Sequence, residues 1–302
     1  MSEPRANKDR GPGGPTSPAP GSRWADLDRP PLDPRALRRA LLVPGGLWTR
    51  LDVTERTGST NADLAAAAAR GEAAAGTVLI AEEQTRGRGR LGRSWSAPAR
   101  SGLFFSVLLD PERAGVPARR LGWLPLLAGV AVATSLARTA GVDTSLKWPN
   151  DLLVEVDGAE RKFGGILAER VAQADGAVVL GIGLNVSLRA AELPVPQAGS
   201  LLLAGARTTD RDPLLRAVLR ALAEWYGRWT SVAGDPDTSG LHAAYAAGCA
   251  TLGRRVRAEL PGGGELRGEA QALDGDGCLV IATAEGTRHE VAAADVIHLR
   301  AT

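Results

Sequence analysis

Residues Thr144–Val186 read TSLKWPNDLLVEVDGAERKFGGILAERVAQADGAVVLGIGLNV, and this run decides the fold. Four short apolar stretches, Thr144–Trp148, Leu152–Val156, Phe163–Arg170 and Ala177–Val186, are separated by turn signals. Asp157-Gly158 and Asp175-Gly176 are hairpin dipeptides, because both residue types tolerate the positive φ of a tight turn. No amphipathic helix fits between the stretches. The run therefore predicts an antiparallel or mixed sheet, not an alternating β-α-β chain.

Outward from the run, the spacing predicts a strand over Gly102–Leu109 and a buried helix over Pro117–Thr139 that ends at Gly141. Leu121–Ala137 is the longest uncharged stretch; it is shorter than the roughly 20 residues of a bilayer span and contains glycine and proline, so a core helix is expected and no membrane contact. Further back lie strands at Trp48–Glu55 and Thr77–Glu82, with an alanine-rich helix between them, capped at Thr60 and stopped at Gly71. Downstream, Pro213 opens a helix whose Leu214, Leu215, Val218, Leu219, Leu222, Trp225, Tyr226 and Trp229 recur at helical spacing and face the core. A last helix covers Thr238–Gly248. From about Leu252, short strands alternate with glycine turns, which predicts a small β-barrel of residues 251–302, too short to hold chemistry of its own. Residues 1–35 form a Pro/Gly-rich tail with no apolar periodicity, expected to be disordered, with one helix at most around Pro34–Leu42. Residues 36–250 are left as the main domain.

Composition narrows the function. Thirty-six basic and 34 acidic residues give a formal charge of only +2. A protein held to nucleic acid by counterion release is usually more basic. Two distant cysteines and three histidines confined to the last quarter exclude a ready zinc site or disulfide framework. Catalysis must then run on Arg, Lys, Asp and Asn, which suits reactions driven by positioning and charge stabilisation such as nucleotidyl transfer. No secretory signal is visible, so the expected setting is the cytoplasm.

Four motifs carry this chemistry. Arg86–Arg93 holds four arginines and three glycines in eight positions, followed by Ser94-Trp95. Glycines permit close backbone approach, arginines match phosphates and carboxylates, and the indole offers a stacking face. It reads as a mobile loop closing over an anionic ligand with a ring; an RGG-like nucleic-acid segment or a solvated basic loop is the alternative. Lys147-Trp148-Pro149-Asn150-Asp151 is a proline-fixed corner offering an amide to an adenine edge and a carboxylate to Mg²⁺, or else a salt-bridged β-corner. In Lys162-Phe163-Gly164-Gly165, two glycines interrupt an apolar strand beside a lysine able to sit on a carboxylate or phosphate. In Gly181-Ile182-Gly183-Leu184-Asn185-Val186, Gly183 leaves space and Asn185 is a polar group in an apolar strand. Ser59-Thr60-Asn61 at a helix start adds hydroxyls and free N–H groups.

In this order and spacing, GRGRLGRSW, KWPND, KFGGILAE and GIGLNV resemble the biotin–protein ligase family over roughly residues 45–300. The resemblance implies an α+β fold, a mixed β-sheet flanked by helices and similar to class II aminoacyl-tRNA synthetases, followed by a C-terminal SH3-like β-barrel. It implies that biotin and ATP, with Mg²⁺ in the substrate complex, give biotinoyl-5′-AMP and pyrophosphate. A lysine of a biotin carboxyl carrier protein or domain then takes the biotin. Ser59, Thr60, Asn61 and Gln84 would hold the biotin head group. Arg88, Gly89 and Arg90 would belong to the loop over the intermediate, with Arg90 also catalytic. Lys162, beside Gly165, would bridge the biotin carboxyl and the α-phosphate. Arg93, Trp95, Lys147, Asn150 and Asn185 would face the nucleotide, and Asp151 is the metal candidate. Leu91 departs from relatives that carry arginine there. The tail stands where bifunctional relatives have a repressor domain, so DNA is not an expected partner. A lipoate–protein ligase, or from a different class an RNA-binding protein using the Arg/Gly loop, is the competing reading.

Overall fold

The computed structural model describes residues 29–172, 174, 176–260, 263–292 and 294–299. The chain divides into Met1–Pro30, of which only residues 29 and 30 are described, and Pro31–Thr302, to which everything below refers. The expected tail therefore falls almost entirely outside the described residues, as do Asp175 of the expected second hairpin turn and Gly262 of the glycine cluster.

Nine strands precede the C-terminal region: β1 (Arg50–Thr54), β2 (Thr77–Ala81), β3 (Gly87–Arg88), β4 (Ser94–Trp95), β5 (Gly102–Leu109), β6 (Thr144–Lys147), β7 (Asp151–Val156), β8 (Ala159–Arg170) and β9 (Val178–Asn185). Seven make one mixed sheet in the order β1-β2-β5-β9-β8-β7-β6, with β1–β2 parallel and the other pairs antiparallel. β3 and β4 form a separate small hairpin in the Arg/Gly segment. Asp157 and Gly158 both have positive φ, 52° and 72°, and close the two-residue β7–β8 turn as expected.

The helices are α1 (Pro34–Leu41), α2 (Thr60–Ala69), α3 (Trp123–Thr139), α4 (Arg211–Ser231) and α5 (Leu241–Gly248). Some boundaries differ from expectation for local reasons. Ser59, not Thr60, is the N-cap of α2: Ser59 is extended and its Oγ accepts from the Ala62 N–H. Pro213 is the third residue of α4, and Asp210 caps it, since proline is tolerated throughout a first turn that needs no N–H donors. Ala118–Gly122 is a separate 3₁₀ turn leading into α3. α1 begins at Pro34, and Leu32 before it is already buried, so the packed chain starts slightly ahead of residue 36. Trp225 is only partly buried, with the Arg228 guanidinium 5.4 Å from its ring centroid.

The sheet's two faces have different fates. On one, Phe105, Leu146, Leu152, Ile166 and Ile182 join α3, α4 and α5 in a large core. On the other, Leu108 and Val179 pack under Leu64 and Ala68 of α2. α2 contacts β2, β5 and β9. The half of that face over β8, β7 and β6 is left for other use.

The C-terminal strands β10 (Arg255–Glu259), β11 (Glu265–Leu273), β12 (Leu279–Ala282), β13 (Arg288–Val291) and β14 (Asp295–His298) form an antiparallel sheet in the order β13-β12-β11-β10-β14. Its apolar residues are continuous with the main core. Polar contacts tie it to the Trp148 corner: the Trp148 indole donates to the Gly277 carbonyl, and the Trp148 N–H donates to Thr251 Oγ1, both at 3.0 Å. His298 Nδ1 lies 3.2 Å from Arg254, a donor only, so Nε2 carries the proton and donates to Thr251 Oγ1 at 3.0 Å. Arg254 is in turn held by both oxygens of Glu160, at 2.6 and 2.8 Å.

Burial, and then the nearby cations Lys147 and Arg254, push the His298 imidazole down from its ordinary 6.5 to about 4. The folded state thus favours the neutral ring. The stability this confers is complete above pH 6.5 and is lost as pH falls towards 4, on the order of 2–3 kcal/mol in all. Denaturant titrations across that window should show this slope in the wild type and a flatter profile in His298→Gln. An unchanged slope in the variant would assign the acid sensitivity elsewhere.

Candidate active site

A cleft of about 900 Å³, its open mouth included, lies on the face of the sheet that carries α2, beside the start of that helix and over β9, β8 and β7. Its floor is glycine because the register demands it. Gly165 pairs with Gly183, Leu167 with Gly181, and Gly181 with Ser106, so these positions share one face. A Cβ on Gly181 would overlap Asn61 Oδ1, and one on Gly183 would sit 3.0 Å from Cε2 of Trp95. Gly164 points the other way, where Leu152 and Leu184 fill the space, so it is a packing glycine.

Lys162 reaches this face through a bulge. Asp151 pairs with Gly165 and Leu152 with Gly164, but Leu153 pairs with Lys162, leaving Phe163 as the extra residue. Without that residue Lys162 would share the core face of Gly164. With it, Phe163 is fully buried in the core and Lys162 Nζ stands 2.5 Å from Asp151 Oδ1 and 5.8 Å from the Trp95 ring centroid. Lys147, paired with Asp151 across β6–β7, lies beside them. Burial lowers the pKa of the Lys147 ammonium, an effect opposed by Asp151 and reinforced by Lys162 and Arg93.

The other end is neutral and hydrogen-bonded. Gln84 Oε1 accepts from the Thr60 N–H at 2.8 Å and from Thr60 Oγ1 at 3.1 Å. Ser106 Oγ lies 2.7 Å from Thr60 Oγ1 and 2.6 Å from Asn61 Oδ1. Asn61 Nδ2 donates to the Leu167 carbonyl at 3.1 Å and to Glu169 Oε2 at 2.9 Å. Ser59, Thr60 and Asn61 are all buried.

The Arg/Gly segment closes over the cleft, with Arg88, Arg90 and Arg93 each held by residues outside it. Arg88 pairs with Glu169 at 3.0 Å. Arg90 donates to Asn150 Oδ1 at 3.4 Å and to the Ala294 carbonyl at 3.3 Å. Arg93 pairs with Asp295. The C-terminal region, expected to hold little chemistry of its own, supplies part of the closed loop's seat through Ala294 and Asp295. Leu91 takes positive φ, 54°, and is exposed.

Ser59, Thr60, Asn61, Gln84, Arg88, Gly89, Arg90, Arg93, Trp95, Lys147, Asn150, Asp151, Lys162 and Gly165 all line this cleft. Asn185 is not among its lining residues: it is buried, its Nδ2 donates to the Gly199 carbonyl at 3.0 Å, and its Oδ1 has no hydrogen-bond partner among the described residues. Asn150 Nδ2 is committed to the Ile166 carbonyl at 2.8 Å. Ser106, Glu169 and Asp295 were not expected from the sequence. Ser106 is the lone polar residue of strand GLFFSVLL, and Glu169 follows Gly165 and Leu167 at the alternate-residue spacing of one strand face, so both left a signal. Asp295 left none.

The helix-flanked mixed sheet thus carries a glycine-floored cleft with hydrogen-bonded polar side chains at one end and cationic side chains at the other. Residues 53–185 match the Biotin/lipoate A/B protein ligase family, and residues 251–299 match the Biotin protein ligase C terminal domain. The chain is 46% identical over 278 residues to the Mycobacterium tuberculosis biotin–[acetyl-CoA-carboxylase] ligase, covering 91% of this chain and 98% of that one. It is 32% identical to the enzyme of the same name from Paracoccus denitrificans, over 80% and 97% of the two chains. The structure of an Aquifex aeolicus biotin protein ligase in complex with biotin and ATP superposes with a TM-score of 0.66 at 27% identity, covering 84% of this chain and all of that one. The chain belongs to the biotin–protein ligase family.

The two floor glycines should differ in tolerance. Gly181→Ala must displace the buried Asn61 amide and break its contact with Ser106, at a cost of about 1–3 kcal/mol. Gly183→Ala needs Trp95 to shift by only a few tenths of an ångström. Thermal unfolding should rank Gly181→Ala well below Gly183→Ala; the reverse order would mean that Asn61 has room to move.

Proposed function

We propose that this chain condenses biotin with ATP to biotinoyl-5′-AMP, releasing pyrophosphate, and passes the biotinoyl group to a lysine of a biotin carboxyl carrier domain, with AMP leaving. The observation that carries the reading is the polarity of the cleft. Biotin has a neutral ureido ring at one end and a carboxylate at the other, matching the Thr60–Asn61–Gln84 end and the Lys162 end respectively. The glycine floor gives Asn61, Trp95 and Lys162 room to lie close against the sheet between the two ends.

In the first step the biotin carboxylate attacks the α-phosphorus and pyrophosphate departs. Two anions must be brought together, so the chief task is to offset their repulsion. Lys162 is assigned to bridge the carboxylate and the α-phosphate. Lys147, Arg90 and Arg93 add cationic character on the phosphate side, while Trp95 and Asn150 are assigned to the nucleotide. Asn185 is assigned there too by resemblance alone, since it is buried outside the cleft lining. In the second step the carrier lysine, as a neutral amine, attacks the acyl carbon of the mixed anhydride and AMP leaves. Ser59, Arg88, Gly89 and Gly165 complete the proposed biotin contacts.

Mg²⁺ enters with ATP as part of the substrate. No group of three candidate ligands exists among the described residues, and Asp151, the single candidate, already pairs with Lys162. That suits a hydrated ion carried mainly by phosphates with one protein carboxylate beside it. The proposed setting is the cytoplasm; the free thiols Cys249 and Cys278 suit a reducing compartment. The apolar segment Ala118–Thr139, long enough to cross a membrane, is mostly buried and serves as a core element.

Lys162→Ala should keep the fold and lose biotin-dependent pyrophosphate release by about 100-fold or more, the usual cost of one charge-stabilising donor. Near-normal release would remove Lys162 from the chemistry. Running the wild type with lipoate in place of biotin tests the substrate assignment directly; equal turnover of lipoate would overturn it.

Arg90→Gly removes the contacts to Asn150 and Ala294 that seat the loop, yet spares Lys162. The variant should still form biotinoyl-AMP but release it sooner, so that free adenylate labels lysines of bystander proteins. An unchanged off-rate for biotinoyl-AMP together with an unlabelled bystander would show that Arg90 is not the latch.

A further inference from the structure

Glu169 occupies the site face of β8, in line with Gly165 and Leu167. Its two oxygens serve two different parts of the protein. Oε2 accepts from Asn61 Nδ2 at 2.9 Å, at the neutral end of the cleft, and Oε1 pairs with Arg88 of the Arg/Gly loop at 3.0 Å. Of the loop's three anchors, Asn150 with Ala294, Asp295 and Glu169, the last also holds a residue of the neutral end. The carboxylate is 27% exposed, shielded enough for the pair to matter, whereas Arg88 itself is half exposed and depends on a partner for its place. Asn61 is otherwise fixed by Leu167 and Ser106, so it is the firm side of the bridge and Arg88 the movable one.

We infer that Glu169 is a positioning residue that ties the Arg/Gly loop to the neutral end of the cleft, so that occupancy of that end and closure of the loop are one coupled event. The inference rests on the biotin-ligase reading for the identity of the ligand. Biotin seated against Asn61 favours the arrangement in which the amide holds Glu169 and Glu169 holds Arg88. Coupling of this kind is reciprocal: if biotin closes the loop, the closed loop must tighten biotin. The nucleotide end lies at the far side of the cleft and should feel the tie less.

The experiment measures trypsin cleavage within Arg86–Arg93 of the full-length protein, with and without biotin, alongside KM and kcat for biotin and for ATP. In the wild type, biotin should slow cleavage. Glu169→Ala should cleave faster without ligand, lose most of the protection by biotin, and raise KM for biotin about tenfold, with kcat and KM for ATP within about twofold. Glu169→Gln, which keeps an acceptor for Asn61 but no charge for Arg88, should fall between; it carries the test alone if the alanine variant does not fold. Read on ligand-free cleavage after Arg90 and Arg93, sites that every variant keeps, Arg88→Ala should add little on top of either, because both changes break one link. Wild-type KM for biotin with wild-type protection in both Glu169 variants, or fully additive effects of Arg88→Ala on that ligand-free cleavage, would overturn the inference. If the wild type itself shows no biotin-dependent pyrophosphate release, it is the functional reading that fails; the ligand-free cleavage rates still decide whether Glu169 holds the loop.

Discussion

One extra residue in β8 decides where the lysine of the site can be. A strand alternates its side chains between two faces, and β8 has to feed both a packed core and an open cleft. From Gly164 to Arg170 the alternation alone suffices: Ile166 goes to the core, Gly165, Leu167 and Glu169 to the cleft. Before Gly164 the parity is wrong for Lys162. The Phe163 bulge reverses it, burying a ring and freeing an ammonium in the same step. Asp151 on β7 and Gly165 on β8 then fix what the ammonium meets. The rest of the site is arranged around that point.

The Arg/Gly loop shows how a glycine-rich segment can hold a closed position without much packing. Its backbone makes one short hairpin, β3–β4, and its arginines reach outward to three separate seats. Each exposed ion pair contributes little alone, typically below about 1 kcal/mol. Their sum is small enough that the loop can open for substrate entry and directional enough that it closes in one place. Two of those seats, Ala294 and Asp295, belong to the C-terminal sheet, which is itself fastened to the Trp148 corner through Thr251 and Gly277. The small sheet thus holds the loop and the corner in a common frame.

Much of this was legible in the sequence because it depends on local rules. The hairpin at Asp157-Gly158, the strand run from Thr144, the glycine gaps and the Arg/Gly loop are all short-range patterns. Resemblance then gave roles to residues that no spacing rule distinguishes. What escaped was non-local. Asp295 lies some two hundred residues from Arg93, and nothing in its own neighbourhood marks it. Gly164 and Gly165 look equivalent in sequence, yet one serves packing and the other the cleft, because strand parity at a bulge is settled by pairing. Asn185 was expected at the nucleotide for being polar in an apolar strand, and that same polarity is half spent on the Gly199 carbonyl. Ser106 and Glu169 were within reach of parity reasoning once the adjoining glycines had been noticed.

The cations of the site also have to live together when no ligand is present. Lys147, Lys162, Arg90 and Arg93 gather near two carboxylates, Asp151, which pairs with Lys162, and Asp295, which pairs with Arg93. Burial disfavours the charged forms of Lys147 and Arg90, and the Asp151 charge works against that in both. On the proposed reading, Asp151 is an internal counterion of the anion site: it offsets the cations of the empty cleft and is the group an incoming phosphate competes with. This explains why a carboxylate sits where two anions are to be joined, at first sight the worst place for one. On the proposed reading, an anion arriving beside Lys162 relieves repulsion among the cations and shares with Asp151 the task of balancing them, so the binding free energy is concentrated at the point where the reacting charges meet.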